Sequence, residues 1–349
     1  MGHKTEITFC PAKVSSEVAS NKMWVLIHFL TVLYLSNSLS LNNEWEKFKR
    51  KYEKNYPNAH EENFRKSIFT KTLQEVTSHN ARYWKGLEKY FVEINKFSDY
   101  MEDEMFCCPY DLARKPPNPS IVIFPNMSAR PQSDLPDMVD WRLQGVVTPV
   151  KRQGKCGSCW AFAILGATEA HYRKQRGSFV ILSEQQLVDC VREVGTCKGV
   201  WLDEVYEYII NSNGINYDQD YRYESAPGSC RFKPNKPTVT FKKYAYLAEI
   251  SEEDLQWIVA KIGPATVSFD ARGSQLKSYS GGIYYNRTCT KTLTHVAVVV
   301  GYGTEKGEDY WIVKNSWGPQ WGIDGYVKMA RNRNNHCGIA RKVTYPIFD

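Results

Sequence analysis

The stretch Gln153–Phe162 reads QGKCGSCWAF, and its two cysteines, Cys156 and Cys159, are well suited to chemistry. A C-x-x-C spacing occurs in zinc sites, in thioredoxin-like redox couples, and beside nucleophiles where one cysteine forms a structural disulfide. A zinc site needs a second close pair of ligands, but Cys190 and Cys197 are seven residues apart and no H-x3-5-H follows. A redox couple would explain none of the remaining cysteines.

The C-terminal part of the chain holds an odd number of cysteines, so in an oxidising compartment at least one is unpaired or bonds elsewhere. These seven residues are Cys156, Cys159, Cys190, Cys197, Cys230, Cys289 and Cys337. The sequence WAFAILGATEAHYRK after Cys159 predicts a helix over about 159–174. The partial positive charge of a helix N-terminus lowers the pKa of a thiol and favours the thiolate. We therefore interpret Cys159 as a nucleophile and expect its sulfur to be unpaired.

A thiolate nucleophile needs an imidazole partner, and the same part of the chain contains three histidines. His171 lies twelve residues along the predicted helix, about 18 Å from Cys159 by helical rise, and is too distant. His336 precedes a cysteine and is interpreted as a surface histidine. His295 begins an apolar strand predicted over 295–302, where a rigid element could aim its ring. His295 is therefore the candidate base.

An amide or carboxylate must then orient the imidazole ring. Asn315 closes a second strand predicted over 309–315, which reads DYWIVKN. Trp317 follows closely enough to shield an Asn315–His295 hydrogen bond from water. The residue types and their order therefore predict a nucleophile, a base and an orienting amide.

Composition and targeting signals limit the class of protein. The chain has 349 residues and a net charge of +7 that is spread without a basic run, which argues against a nucleic-acid partner. Residues 23–35 are apolar, follow Lys22 and lead into small polar residues, in the order typical of a secretory signal peptide. Translation would then begin at Met23, or residues 1–22 form the cytoplasmic tail of a signal anchor. Both alternatives lead the cysteines into an oxidising compartment.

The remaining sequence divides into regions that would position the site. Residues 41–106 carry apolar stripes at helical spacing, and six prolines between 116 and 136 indicate an extended linker. From 135 onward, strands alternate with helices predicted over 159–174 and 200–211.

Three ordered blocks, QGKCGSCWAF, LTHVAVVVGYG and YWIVKNSWGPQWGIDGY, resemble the papain family of cysteine peptidases, on its cathepsin L side. His295 lies 136 residues and Asn315 156 residues after Cys159, close to the interval expected for that family. The N-terminal region resembles cathepsin L-type propeptides through two motifs. Their residues are Glu61, Arg65, Phe69, Val76 and Asn80, and then Glu93, Asn95, Phe97 and Asp99. Thr72 stands where the first motif has asparagine, and Glu93 replaces a glycine of the second.

The resemblance implies an α+β, papain-like fold of two subdomains, one helical and one an antiparallel β-barrel-like sheet, behind a helical inhibitory propeptide. It implies an N-terminal extension and signal peptide at 1–40, an inhibitory propeptide with linker at 41–134, and a peptidase domain at 135–349. The implied disulfides are Cys156–Cys197, Cys190–Cys230 and Cys289–Cys337. No cofactor and no metal are implied.

The resemblance also assigns roles. Cys159 attacks the scissile carbonyl, His295 forms the ion pair and protonates the leaving amine, and Asn315 holds the imidazole tautomer. Gln153 and the Cys159 backbone N–H donate to the oxyanion. The substrate-binding positions are Gly199, Val200, Trp201, Leu202, Ser268, Leu293, Val296, Trp317 and Lys342. Lys342 at the pocket floor either attracts an acidic side chain or extends to solvent and leaves an apolar pocket.

The expected product is a lysosomal or secreted endopeptidase made as an autoinhibited zymogen. Its partners would be protein and peptide substrates, its own propeptide and cystatin-like inhibitors, with no nucleic acid, and it would be a monomer. The sequons at Asn126 and Asn286 suit secretory transit. The alternative is a catalytically silent relative used for binding. Its mark would be loss of the nucleophile, base or orienting amide, and all three are present.

Overall fold

In a computed structural model, the residues described are 40–105, 120–123, 125–129, 135–191 and 197–348. The apolar run at 23–35 and Cys10, Cys107 and Cys108 lie outside these ranges. The chain divides into two compact units, the first ending at Lys66 and the second beginning at Ser67. Within the described ranges, no helix combines the length and apolar character needed to cross a membrane.

The first unit holds helix α1 (40–52) and the start of helix α2 (Ala59–Trp84). Trp45 packs against Phe48, one turn farther along α1, with ring centroids 5.5 Å apart. Tyr56 stacks on the same indole at 5.6 Å, and the indole N–H donates to Glu62 at 3.3 Å. Aromatic contacts at helical spacing therefore hold this unit together.

The helices of the second unit begin and end at recognisable capping residues. They are α3 (Cys159–Arg176), α4 (Glu184–Cys190), α5 (Leu202–Asn211), α6 (Glu252–Trp257) and α7 (Ser274–Lys277). Helix α3 ends at Gly177, whose φ of 71° suits a left-handed C-terminal cap. Ser183 accepts a hydrogen bond from the Gln186 amide and caps α4, and Ser251 caps α6 with a capping box. The two helices predicted at 159–174 and 200–211 are confirmed with small shifts at their ends.

A large, mostly antiparallel sheet forms the second layer. The strands are β1 (Tyr90–Val92), β2 (Val122–Ile123), β3 (Val139–Asp140), β4 (Ile215–Asn216), β5 (Thr238–Val239), β6 (Lys243–Ala248), β7 (Ala265–Phe269), β8 (Tyr279–Tyr284), β9 (His295–Glu305), β10 (Glu308–Lys314), β11 (Tyr326–Ala330) and β12 (Lys342–Ile347). The order is β1-β8-β11-β10-β9-β7-β12-β6-β2, with β3 paired to β9 and β4 paired to β5 in a separate ribbon. Strands β9 and β10 are the two predicted from the sequence.

Both ends of the main sheet are formed by strands that precede residue 135. Strand β1 pairs antiparallel with β8, where Tyr90 lies opposite Gly282. Strand β2 pairs parallel with β6, where Val122 lies opposite Tyr244. The segment before residue 135 therefore supplies backbone partners to edges that would otherwise be open.

Two apolar cores flank the sheet. One contains the buried face of α3 together with α5 and side chains of β9, and the other contains Trp311, Trp317 and Trp321. The α+β fold implied by the resemblance is confirmed. Disulfides join Cys156 to Cys197, Cys190 to Cys230 and Cys289 to Cys337, which are the implied pairs.

Candidate active site

Cys159 is the first residue of α3 and is fully buried in this structure. The loop before it is held by the Cys156–Cys197 disulfide and by a hydrogen bond from the Gly157 amide to the Cys197 carbonyl at 2.9 Å. The eighteen-residue helix behind Cys159 directs its positive end at this position. The fold therefore places the sulfur where a thiolate would be stabilised.

The oxidation state of Cys159 differs from the sequence-based expectation of an unpaired sulfur. In this structure Cys159 is disulfide-bonded, and the three disulfides described above use the other six cysteines of the described residues. Because a disulfide sulfur carries no thiolate, this form of the chain cannot attack a carbonyl. Counting cysteines showed that one was left over but could not show that it was oxidised.

His295 begins β9, and Asn315 directly follows β10, the neighbouring strand. The His295 Nε2 lies 2.8 Å from the Asn315 Oδ1, which is an acceptor, so Nε2 carries the proton. The Asn315 Oδ1 also accepts from the Ser316 amide at 2.8 Å, which fixes its orientation. Since Nε2 is engaged, Nδ1 is the nitrogen that would face a nucleophile.

Burial lowers the pKa of His295 to about 4, although the hydrogen bond to Asn315 opposes the shift. Two aromatic rings enclose the imidazole. The Trp317 ring centroid lies 5.1 Å from it, and the Phe269 ring packs edge-on at 5.6 Å. Trp317 is almost fully buried and therefore lies where it would keep water from the Asn315–His295 pair.

Gln153 is 4% exposed, and both ends of its side-chain amide are engaged. Its Nε2 donates to the Cys156 carbonyl at 3.0 Å, and its Oε1 accepts from the Ser316 hydroxyl at 2.6 Å. Ser316 was not identified from the sequence; its position between Asn315 and Trp317 was the available signal. Its hydroxyl determines which end of the Gln153 amide carries the donors.

The positions assigned to the main specificity pocket lie around the same core as Cys159. Val200, Leu202, Leu293 and Val296 are buried there, Trp201 packs against them, and Ser268 pairs with Val296 across β7 and β9. Gly199 has a φ of 93°, a conformation that favours glycine.

Lys342 is 2% exposed, so the interpretation that its side chain extends to solvent is wrong for this structure. Its ammonium lies 5.2 Å from the Trp201 ring centroid and 5.5 Å from that of Tyr246. These are cation–π distances, and they keep a positive charge beside the residues assigned to the pocket. Tyr246 was not identified from the sequence.

Residues upstream of 135 contact this region directly. Phe97 packs edge-on against Trp317 at 6.0 Å. Asn80 exchanges two hydrogen bonds with the Val92 backbone, at 2.8 and 3.1 Å, and so aligns β1. The Lys277 ammonium donates to the Tyr100 carbonyl at 2.9 Å and to the Thr72 hydroxyl at 3.3 Å. Thr72, which departs from the propeptide motif, is therefore a buried partner of a charge in the C-terminal region.

His336 is buried, so its interpretation as a surface histidine is wrong. Its Nε2 lies 2.9 Å from the Asn286 amide, and burial lowers the pKa of its imidazole to about 4. Within the described ranges, His336 belongs to the single group of three potential metal ligands, together with Cys289 and Cys337. The sulfurs of these two cysteines are bonded to each other and are not available to a metal.

Comparison with known proteins gives matches over most of the chain. Residues 135–347 match the model of "Papain family cysteine protease", and residues 45–105 match "Cathepsin propeptide inhibitor domain (I29)". Digestive cysteine proteinase 2 of Homarus americanus is 42% identical, covering 87% of this chain and 94% of that protein. A cathepsin L-like peptidase of Aedes aegypti is 39% identical over 93% of this chain and all of that protein. The structure of digestive procathepsin L2 proteinase from Tenebrio molitor larval midgut superposes with a TM-score of 0.80 at 42% identity, over 88% of this chain and all of that one.

Proposed function

This chain belongs to the papain family of cysteine proteases, and from that premise we propose that it is an endopeptidase using a Cys159–His295 thiolate–imidazolium pair oriented by Asn315. The observation that carries the proposal is the 2.8 Å hydrogen bond between His295 Nε2 and Asn315 Oδ1, with Cys159 at the N-terminus of α3. The propeptide inhibitor domain makes the chain a zymogen.

In the proposed mechanism the reduced Cys159 thiolate attacks the scissile carbonyl carbon. Gln153 Nε2 and the Cys159 amide stabilise the oxyanion, since both are donors held in place before reaction. The C–N bond breaks, a thioester forms on Cys159, and the His295 imidazolium gives its proton to the leaving amine. A water molecule activated by His295 then hydrolyses the thioester and regenerates the thiol.

Inhibition by the propeptide is supported by contacts that lie beside the catalytic residues. Phe97 covers Trp317, and β1 extends the sheet at β8. We propose that low pH weakens this interaction and that cleavage near Leu135 releases a monomeric enzyme at 135–349. The proposed route is through the secretory pathway to a lysosome or to the exterior, and cystatin-like proteins are the expected external inhibitors.

Lys342 is proposed to set the preference for the side chain second upstream of the cleaved bond. Its buried ammonium would favour acidic or polar side chains over leucine or phenylalanine. The aromatic contacts with Trp201 and Tyr246 support this, because they hold the charge inside the protein.

An epoxide inhibitor of cysteine peptidases tests the catalytic proposal. After removal of the propeptide and treatment with a thiol reductant, mass spectrometry should find one label per chain, on Cys159, with equal loss of peptide hydrolysis. Cys159→Ser should neither bind the label nor hydrolyse peptides. Hydrolysis that persists in Cys159→Ser would refute the assignment, and an unlabelled, inactive but folded wild-type enzyme would favour the silent binding relative.

A further inference from the structure

Two sequons occur in the chain, Asn126-Met-Ser128 and Asn286-Arg-Thr288. Both satisfy the N-x-S/T requirement for attachment of an N-linked glycan, and their sequences alone do not rank them. The folded environments of Asn126 and Asn286 differ sharply, and that difference decides which of them can carry a glycan in the native protein.

Asn286 is 9% exposed and its side chain is fully engaged. The Nδ2 atom, to which a glycan would be attached, donates to the Arg272 carbonyl at 3.4 Å. That atom lies only 2.8 Å from the position that a Cβ on Gly273 would occupy, so the backbone closes over it. The Oδ1 atom accepts from the Thr288 hydroxyl at 2.8 Å. A sugar on Nδ2 would have to displace these groups.

The surroundings of Asn286 also resist rearrangement. Its backbone amide and carbonyl lie 2.9 and 3.2 Å from the Nε2 of buried His336, on the loop closed by the Cys289–Cys337 disulfide. A glycan at Asn286 would therefore cost the packing of this loop, and a chain so modified could not adopt the described fold.

Asn126 has the opposite environment. It is exposed, and it lies in the short connection between β2 and a 3-10 turn at Met127–Ala129. Its Oδ1 accepts from the Ser128 amide at 3.1 Å. A bulky, hydrated group attached there displaces nothing from the core.

We propose that Asn126 is N-glycosylated and Asn286 is not. In this transfer the Asn126 Nδ2 bonds to the anomeric carbon of a lipid-pyrophosphate-linked oligosaccharide in the secretory compartment, the lipid pyrophosphate leaves, and Nδ2 loses one proton. Asn126 lies between the inhibitor-domain match ending at 105 and the papain-family match starting at 135. The precursor therefore carries the glycan and the mature enzyme lacks it. This inference rests on the proposed secretory route and cleavage near Leu135.

The test uses the full precursor, secreted from insect cells as the Cys159→Ala variant so that its outcome is independent of peptidase activity. Peptide:N-glycosidase converts glycosylated asparagine to aspartate, and peptide mapping should find this change at Asn126 and unmodified asparagine at 286. Asn126→Gln should abolish the electrophoretic shift caused by deglycosylation. Thr288→Ala, which removes the second sequon without altering Asn286, should leave that shift unchanged.

A glycan found at Asn286 in the folded, secreted precursor would overturn the proposal, as would a secreted precursor with no glycan at Asn126. Wild-type enzyme provides a further check, since deglycosylation should change the mobility of its precursor and not that of its processed form.

Discussion

Replacing Lys342 with methionine should change substrate preference by a predictable amount. Methionine keeps most of the length of the lysine side chain and removes the charge, so it separates electrostatics from pocket size. Lys342 is almost completely buried, and replacing a buried charge by an apolar side chain of similar volume is often neutral or stabilising. The variant is therefore expected to fold.

The magnitude follows from opposing contributions. A substrate carboxylate about 4 Å from the ammonium gains about 4 kcal/mol at an effective dielectric constant of about 20. Part of this is lost to desolvation of the carboxylate and to weakening of the contacts with Trp201 and Tyr246, which are each worth about 0.5–2 kcal/mol. The remainder is similar to a charged hydrogen bond, about 1.5–3 kcal/mol, or about a 10- to 100-fold factor.

The assay compares kcat/KM for two peptides that differ only in glutamate or leucine at the second position upstream of the cut. At pH 6, Lys342→Met should lower the glutamate-to-leucine ratio by about 10- to 100-fold relative to wild type, by the estimate above. At pH 4 the difference should shrink, because the substrate glutamate, with a pKa near 4.3, is then mostly protonated. Arg341→Met is the matched control: it removes the adjacent positive charge, which pairs with Glu249 at 2.6 Å outside the pocket. An unchanged ratio, or the same change in both variants, would refute the reasoning.

Three further outcomes are expected. Gln153→Ala should lower kcat about 100- to 1,000-fold by removing an oxyanion donor, while active-site titration shows Cys159 still reactive toward the epoxide; a change below about 5-fold, on the order of one ordinary hydrogen bond, would contradict that role. Asn80→Leu should raise the inhibition constant of the propeptide, because two hydrogen bonds to Val92 are lost at about 1 kcal/mol each, and Arg82→Leu on the same helix serves as the exposed control. Burial lowers the pKa of His171 to about 4, so its unfolded form binds more protons below pH 6.5 and stability falls between pH 6.5 and 4 by up to about 3 kcal/mol. His171→Gln should flatten this part of the pH–stability curve measured by urea unfolding, and an unchanged slope would count against the buried imidazole.

The sequence predicts residue types and order at the site better than it predicts contacts. Cys159, His295 and Asn315 could be identified because a helix start, a strand start and a strand end are local patterns. Ser316 and Tyr246 could not, because their partners lie 163 and 96 residues away and depend on how strands meet. The burial of His336 depends on the loop closed by Cys289 and Cys337, which adjacency to a cysteine does not reveal.

The disulfide at Cys159 bears on how the precursor survives in storage. Oxidation of a cysteine to sulfenic acid, and then irreversibly to sulfinic and sulfonic acids, begins at the thiolate. The helix N-terminus that favours a Cys159 thiolate would also make the thiol vulnerable to peroxide. Because Cys159 is disulfide-bonded here, the nucleophile is withheld from this damage in a form that a reductant reverses. A stored precursor of this kind would keep its catalytic capacity through oxidative conditions, and its first turnover would depend on the supply of thiols.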